Sequence, residues 1–342
     1  MARFLLESKD EFMHDTEGAS NFNESMYFNF YDAGEALGGF LRIGNRPNER
    51  YAEQTTCIYL PDGRVGFVFQ RPEISTNDGF DAGGCSFEVI SPFEELAVRY
   101  EGKLVLLDDP EAMVNPRKAF KDNPWVESSV NLEIRGLSPM YGGEPVDDDG
   151  RPLPEAENDF AKGHCEQHVG ARGEIVVAGE QWEIDGYGLR DHSWGPRFWQ
   201  APWWYRWLTG NCGEDFGFML NIIASRDGQR TRGGTVFADG EYATVQHCTI
   251  ETGWRGEDSY HQTITALART DEREYCITGD VLSMIPLRNR RTAPDGEQLM
   301  TRISEGMTEW QVEGVGTGYG LSEYLDQIVD GSPVGVAEED GA

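Results

Sequence analysis

The sequence predicts an all-β protein of two packed barrel-like domains with few short helices, on three observations. Aromatic and β-branched runs of alternating polarity recur along the whole chain, and Gly, Pro, Asn and Asp punctuate them. No strand–helix alternation appears, and no G-x-G-x-x-G cradle follows a strand-like run. The length of 342 residues exceeds what one small core usually organises, which favours two domains.

In the first half the strand-like runs are residues 25–31, 55–60, 65–70, 86–90, 96–100, 103–107 and 126–135. Pro61-Asp62-Gly63 joins two of them as a hairpin turn, since Pro fixes φ at the first corner and Gly accepts positive φ near the end. Short helices are expected at 109–119 and 324–329. Residues 143–162, with Asp147-Asp148-Asp149-Gly150, are too polar for a core and read as a long surface loop or partial linker. From Gly173 the pattern is strand, Ala178-Gly179-Glu180 turn, and a second strand running into an aromatic, glycine-flanked end. A second meander follows, over 215–225, 234–238, 242–251, 261–267, 274–281, 302–312 and 319–325, with Asp-Gly turns at 227–228, 239–240 and 295–296. The glycine-rich stretch 314–320 lies between strand-like runs and opens no helix, so it reads as a bulged turn. The domains are placed at 1–180 and 181–342, with the boundary set to within about 20 residues.

Composition narrows the function. With 60 acidic against 29 basic residues the formal charge is −31, and a polyanion would meet that field before any contact, so nucleic acid is not an expected partner. No stretch approaches the roughly 20 apolar residues needed to span a bilayer, and the N-terminus lacks a signal-peptide core, so the expected location is cytoplasmic. Cysteines 57, 85, 165, 212, 248 and 276 form no C-x-x-C pair and read as buried thiols, with no metal site among them.

The densest chemistry lies in the run 186–199, GYGLRDHSWGPRFW, where an acid, an imidazole and two guanidiniums crowd among large rings. On an extended chain Arg190, His192 and Trp194 point one way and Leu189, Asp191 and Ser193 the other. If the first set faces a barrel interior, a titratable group stands beside an aromatic wall, and Asp191 is free to pair with Arg190 or Arg197. Trp199, Trp203, Tyr205 and Trp207 extend the ring density; they line a pocket for an apolar ligand or plug a junction of sheets, and the residues allow both. His164 and His168 stand four apart in an extended pattern, about 13 Å distant, which argues against a zinc pair.

The GYGLRDHSWGPRFW run, the HCEQ element at 164–167, the early ESMYFNFYD and NRPNERYAE and the late SEGMTEWQVEG and GYGLSEYLDQ together resemble the carotenoid 1,2-hydratase (hydroxyneurosporene synthase-like) superfamily, in its uncharacterised bacterial branch. The resemblance spans residues 21–326. It implies tandem lipocalin-like (calycin-type) β-barrels, a hydrophobic pocket with the Asp-His-x-Trp element near the inter-domain region, and cofactor-independent hydration or cyclisation of prenyl-type or polyketide substrates. A carboxylic acid aided by His and Trp protonates an alkene, and water captures the cation. The chain departs from that pattern: where a Tyr-x-Asp pair is expected to supply the acid it reads Phe218-Met219-Leu220-Asn221, leaving Asp191, Glu166 and Asp215 as replacements.

The expected function is therefore a cofactor-independent hydratase/dehydratase, isomerase or cyclase acting on an isoprenoid-, steroid- or polyketide-like molecule, with a lipocalin-type carrier as the alternative. Asp191 and His192 are the expected acid–base pair, with Glu166 and Tyr187 as further catalytic candidates. Trp194, Arg190, Arg197, Trp199, Trp203, Tyr205 and Gln167 are the expected substrate contacts, and no metal or other cofactor is implied. For Asp191 a structural ion pair explains the same letters. The oligomeric state, a homodimer included, is left open.

Overall fold

The alternating runs of the first half pair in sequence order. In the computed structural model, which describes residues 3–16, 18–153, 161–292 and 296–339, eight antiparallel strands form a meander: β1 (Phe22–Asp32), β2 (Leu37–Arg46), β3 (Tyr51–Tyr59), β4 (Val65–Gln70), β5 (Glu95–Leu107), β6 (Trp125–Gly136), β7 (Gly163–Val177) and β8 (Glu180–Pro196). Each pairs with the next, and β8 returns to β1, setting His192 opposite Met26 and Trp194 opposite Glu24. A ring of strands closed this way has no free edge. The β7–β8 hairpin turns on Ala178 and Gly179, both with positive φ, the tight turn that matches strand twist.

Every second residue of these strands points inward, and together they fill the barrel: Met26, Phe28 and Phe30 from β1, Leu41 and Ile43 from β2, Val98 from β5, Leu132 and Ile134 from β6, Val169 and Ala171 from β7, Ile184 from β8. The parity of β1 and β8 therefore assigns Glu24, Arg190, His192 and Trp194 to the same inward face as Met26 and Phe28.

The second half forms a like meander of β9 (Trp204–Asn211), β10 (Phe216–Ala224), β11 (Arg230–Ala238), β12 (His247–Arg255), β13 (Tyr260–Arg269), β14 (Glu274–Thr292), β15 (Gln298–Val312) and β16 (Gly316–Val329), each pairing with the next except β11 with β12. Here β16 returns to β9. Between β11 and β12 the Val245 N–H donates to Gly234 and Arg232 to the Cys248 carbonyl. A second core gathers Trp204, Leu208, Phe218, Ile264, Trp310 and Tyr324. Set among them is a buried ion cluster in which Arg206 and Arg302 each reach Asp326 at 3.2 Å.

The chain forms two compact units: the described residues of Met1–Asp108 with Phe120–Phe198, and those of Asp109–Ala119 with Trp199–Ala342. The division falls after Phe198, where β8 has run on to close the first ring. Some expectations need correction. Residues 96–100 and 103–107 are one strand, β5, since Gly102 stays extended opposite Ser128. Residues 324–329 are no helix but the end of β16, paired with β9 and β15. β2 escaped the sequence pattern because Gly38, Gly39 and Gly44 dilute it; at Gly39 a Cβ would fall 2.5 Å from the Cys57 carbonyl oxygen, so the close approach of β3 requires glycine. The segment 109–119 does coil, as a 3-10 turn Pro110–Val114 followed by α1 (Pro116–Asp122). Residues 154–160 of the expected loop and Asp295 of the last expected turn lie outside the described residues. No described helix is long and apolar enough to cross a membrane.

Candidate functional site

The inward face of β1 reads Glu24, Met26, Phe28, Phe30, so a carboxylate occupies the position where the apolar stripe reaches the end of the barrel. Burying it demands donors. Glu24 is fully buried and receives four. His14 Nδ1 donates to Oε1 at 2.7 Å and His192 Nε2 donates to the same oxygen at 2.9 Å. The His14 backbone N–H and Asn77 Nδ2 donate to Oε2 at 2.8 and 2.9 Å. Burial pushes the Glu24 carboxyl up, but the hydrogen bonds from His14 and His192 prevail and hold it down at about 2. Glu24 is thus an anion at neutral pH that accepts from both imidazoles.

Each partner arrives from a different element. His192 comes from β8, where Phe80 meets its ring edge to face at 5.6 Å. His14 comes from the segment before β1, tied by Asn77 Nδ2, which donates to its carbonyl at 3.0 Å. Its ring lies on the Trp194 indole with centroids 4.1 Å apart and planes 8° from parallel. Its other nitrogen stands 3.6 Å from Asp10 Oδ1. Trp194 can lie flat because its cross-strand partner is Gly163, where a Cβ would fall 2.2 Å from the indole. The indole Nε1 donates to Glu144 at 3.1 Å. His14 and Trp194 then form the inner wall of a cavity of about 350 Å³, completed by Leu5, Lys9, Asp10, Phe22 and Lys162 among others, with Glu24 and His192 behind that wall.

The remaining expected residues fall elsewhere. Asp191 and His192 are neighbours in sequence and therefore face opposite sides of β8, so the expected acid–base pair does not form. Asp191 instead takes His164 Nε2 at 3.4 Å on the outer face, where Glu166 also lies. Burial raises the Asp191 carboxyl, but the His164 hydrogen bond and charge, with Arg197, bring it below its usual value; partial burial lowers His164, but Asp191 and Glu166 raise it. Arg190 faces inward and is locked by Glu11, with Nη2 to Oε2 at 2.7 Å, while its Nε donates to Gln167 at 2.8 Å. Gln167 spends its amide on the Phe93 and Ser138 carbonyls. These two residues tie the N-terminal segment to the barrel. Arg197 bonds Ser193 at 2.6 Å, and Tyr187 shares the outward parity of Asp191. Trp199, Trp203 and Tyr205 belong to the second unit, where Arg226 stacks on Trp203 and Tyr205 bonds Glu323. Asp215 is exposed.

Of the expected site residues, His192 and Trp194 enter the cluster. Sequence reading missed His14, Glu24 and Asn77. Glu24 had a usable signal, an acid in phase with three apolar residues of one strand face. His14 and Asn77 lie in irregular segments with no periodicity to flag them.

Taken together, these features define a tandem up-and-down β-barrel-like protein with a buried imidazole–carboxylate cluster behind a cleft. The chain belongs to the family described as a domain of unknown function (DUF7064), which matches residues 7–328. No curated protein matches it significantly in sequence. Among solved structures it is similar to the Nitrosomonas europaea protein NE1406, provisionally AttH, with a TM-score of 0.58 at 14% identity over 94% of this chain and 97% of that one. Kievitone hydratase from Nectria haematococca gives a TM-score of 0.56 at 11% identity, covering 94% and 93%. CghA with Sch210972 gives 0.51 at 12% identity, covering 90% and 88%. At these identities the likeness is one of fold.

Proposed function

We propose that this protein is a lyase or isomerase of the hydratase or cyclase kind, acting on a hydrophobic isoprenoid-, steroid- or polyketide-like molecule by proton transfer, and that it belongs with the carotenoid 1,2-hydratase-like proteins. The observation that carries this reading is the pair of imidazoles sharing one oxygen of an ionised, buried Glu24, with His14 laid on Trp194 at the cleft. The fold shared with kievitone hydratase, a hydratase by name, supports the reaction class.

In this reading His14 is the acid–base group, because it is the member of the cluster that lines the cleft. Glu24 fixes the ring through Nδ1, leaving Nε2 as the atom that gives or takes a proton; positioned acid–base catalysis of this kind supplies around 10²–10⁴ in rate. Trp194, stacked flat on the imidazole, holds the His14 ring in place at the cleft. His192, behind Glu24, is a positioning residue that shares the charge. Asp191 is left out of the chemistry.

The test is incubation of wild type and the His14→Ala, His192→Ala and Asp191→Asn variants with prenyl alcohols, sterol enones and polyenes in H₂¹⁸O, followed by mass spectrometry. Expected is label incorporation or isomerisation by wild type and Asp191→Asn, lost in folded His14→Ala. Ligand bound but unchanged by wild type would move the assignment to a carrier.

A further inference from the structure

We infer that His14, Glu24 and His192 form a binding site for one divalent transition-metal ion of the zinc type. The inference goes beyond the proton-transfer reading and stands on the donor geometry alone.

Two imidazole nitrogens and a carboxylate oxygen are a donor set that zinc takes in open sites, which leave a further position for water or substrate. One donor atom from each residue falls within 4.8 Å of the other two. Donors bound to one ion at roughly 2.0–2.2 Å must lie within about twice that distance. The Nδ1–Oε1 and Nε2–Oε1 separations are hydrogen bonds of 2.7 and 2.9 Å, which must open to about 3.4 Å, the donor spacing of a tetrahedral zinc site, when an ion replaces the protons between them. The three residues come from the N-terminal segment, β1 and β8, so their convergence is made by the fold and not by sequence proximity.

The surroundings match what an ion requires. Glu24 Oε2 is held by Asn77 and by the His14 backbone, which orients the carboxylate from behind. Asp10 stands 3.6 Å from the far nitrogen of His14, where a metal-bound imidazole would keep its proton. Glu24 and His192 are fully buried and His14 separates them from the cleft it lines, so an ion would reach the donors by displacement of the His14 ring. On binding, each ring gives up its hydrogen bond to Glu24 Oε1 and holds its proton at the distal nitrogen.

The outer face carries a second imidazole–carboxylate group with one histidine, the half-exposed His164, with the largely buried Asp191 and Glu166 at 3.4 and 3.8 Å. It serves as an internal control. The experiment is isothermal titration of the intact chain with Zn²⁺, and with Co²⁺ read by its visible ligand-field bands. Expected is one ion per chain, with affinity lowered more than about 100-fold in His192→Ala and in His14→Gln and unchanged in His164→Ala. His14 lies outside the barrel strands, so His14→Gln keeps the test open even if a barrel variant fails to fold. No ion bound, or binding that His164→Ala abolishes and His14→Gln spares, would overturn the site. An ion bound without turnover of any substrate leaves the metal site standing and sinks the hydratase reading; turnover with no ion bound does the reverse.

Discussion

The His14 imidazole lies against the Trp194 indole with centroids 4.1 Å apart and planes 8° from parallel, while its Nδ1 is tied to Glu24. This stack fixes the ring that borders the cleft. His14→Ala therefore uncovers one indole face. The expected result is a shift of tryptophan emission to longer wavelength, absent when the substitution is made in a Trp194→Phe background. Any proton-transfer activity should fall about 10²-fold or more. Unchanged emission would mean that the stack does not form in solution.

Arg190 and Glu11 form a buried bidentate pair that joins the N-terminal segment to β8. Removing one member strands the other charge, so Arg190→Ala should cost about 3–5 kcal/mol in urea unfolding. The Glu11→Leu, Arg190→Met double variant removes both charges and should recover most of that loss. A double variant as unstable as the single one would show that the site needs the ions themselves.

Asp191→Asn tests the outer-face assignment. Asp191 raises His164 by hydrogen bond and charge, so the variant should lower the His164 pKa, measured by NMR titration of its ring protons. Stability should fall by roughly 1 kcal/mol, the cost of exchanging a charge-assisted hydrogen bond for a neutral one. A collapse of activity in the folded variant would return Asp191 to the chemistry.

His261 gives the second unit an acid-sensitive element. Burial, then the positive charges of Arg206 and Arg302, lower its pKa to about 3 from the ordinary 6.5. The neutral ring stacks on Tyr324 at 4.1 Å and bonds Ser322. Between pH 6.5 and 3 the unfolded chain binds a proton that the folded chain refuses, so this stabilisation is complete above pH 6.5 and lost as pH falls toward 3. Unfolding free energy should decline there by up to about 1.4 kcal/mol per pH unit from this group. His261→Phe should flatten that part of the curve; an unaltered slope would assign the acid sensitivity to the carboxylates.

Gly188 stands where β8 crosses closest to β1. A Cβ there would fall 1.8 Å from the Asn29 carbonyl oxygen, so β1 and β8 can close the ring only with glycine at this position. Gly188→Ala should destabilise by about 1–3 kcal/mol or more, measured by thermal and urea unfolding.

The sequence by itself determined the all-β class, the two successive meanders and the shared face of Arg190, His192 and Trp194, because strand alternation is a local property with a period of two; that this face is the inward one was decided by the fold. It also marked the run 186–199, since rings and charges crowded on one strand are visible without a fold. Only the tertiary structure decided what those side chains meet. Glu24 is brought to His192 by closure of β8 on β1 across 168 positions, and His14 by a loop with no repeat to read. Arg190, which looked free to pair with Asp191, is taken by Glu11 from a turn 179 positions away. Local alternation fixes which face a residue takes; its partner depends on long-range register and on loops, and neither leaves a periodic trace in one chain.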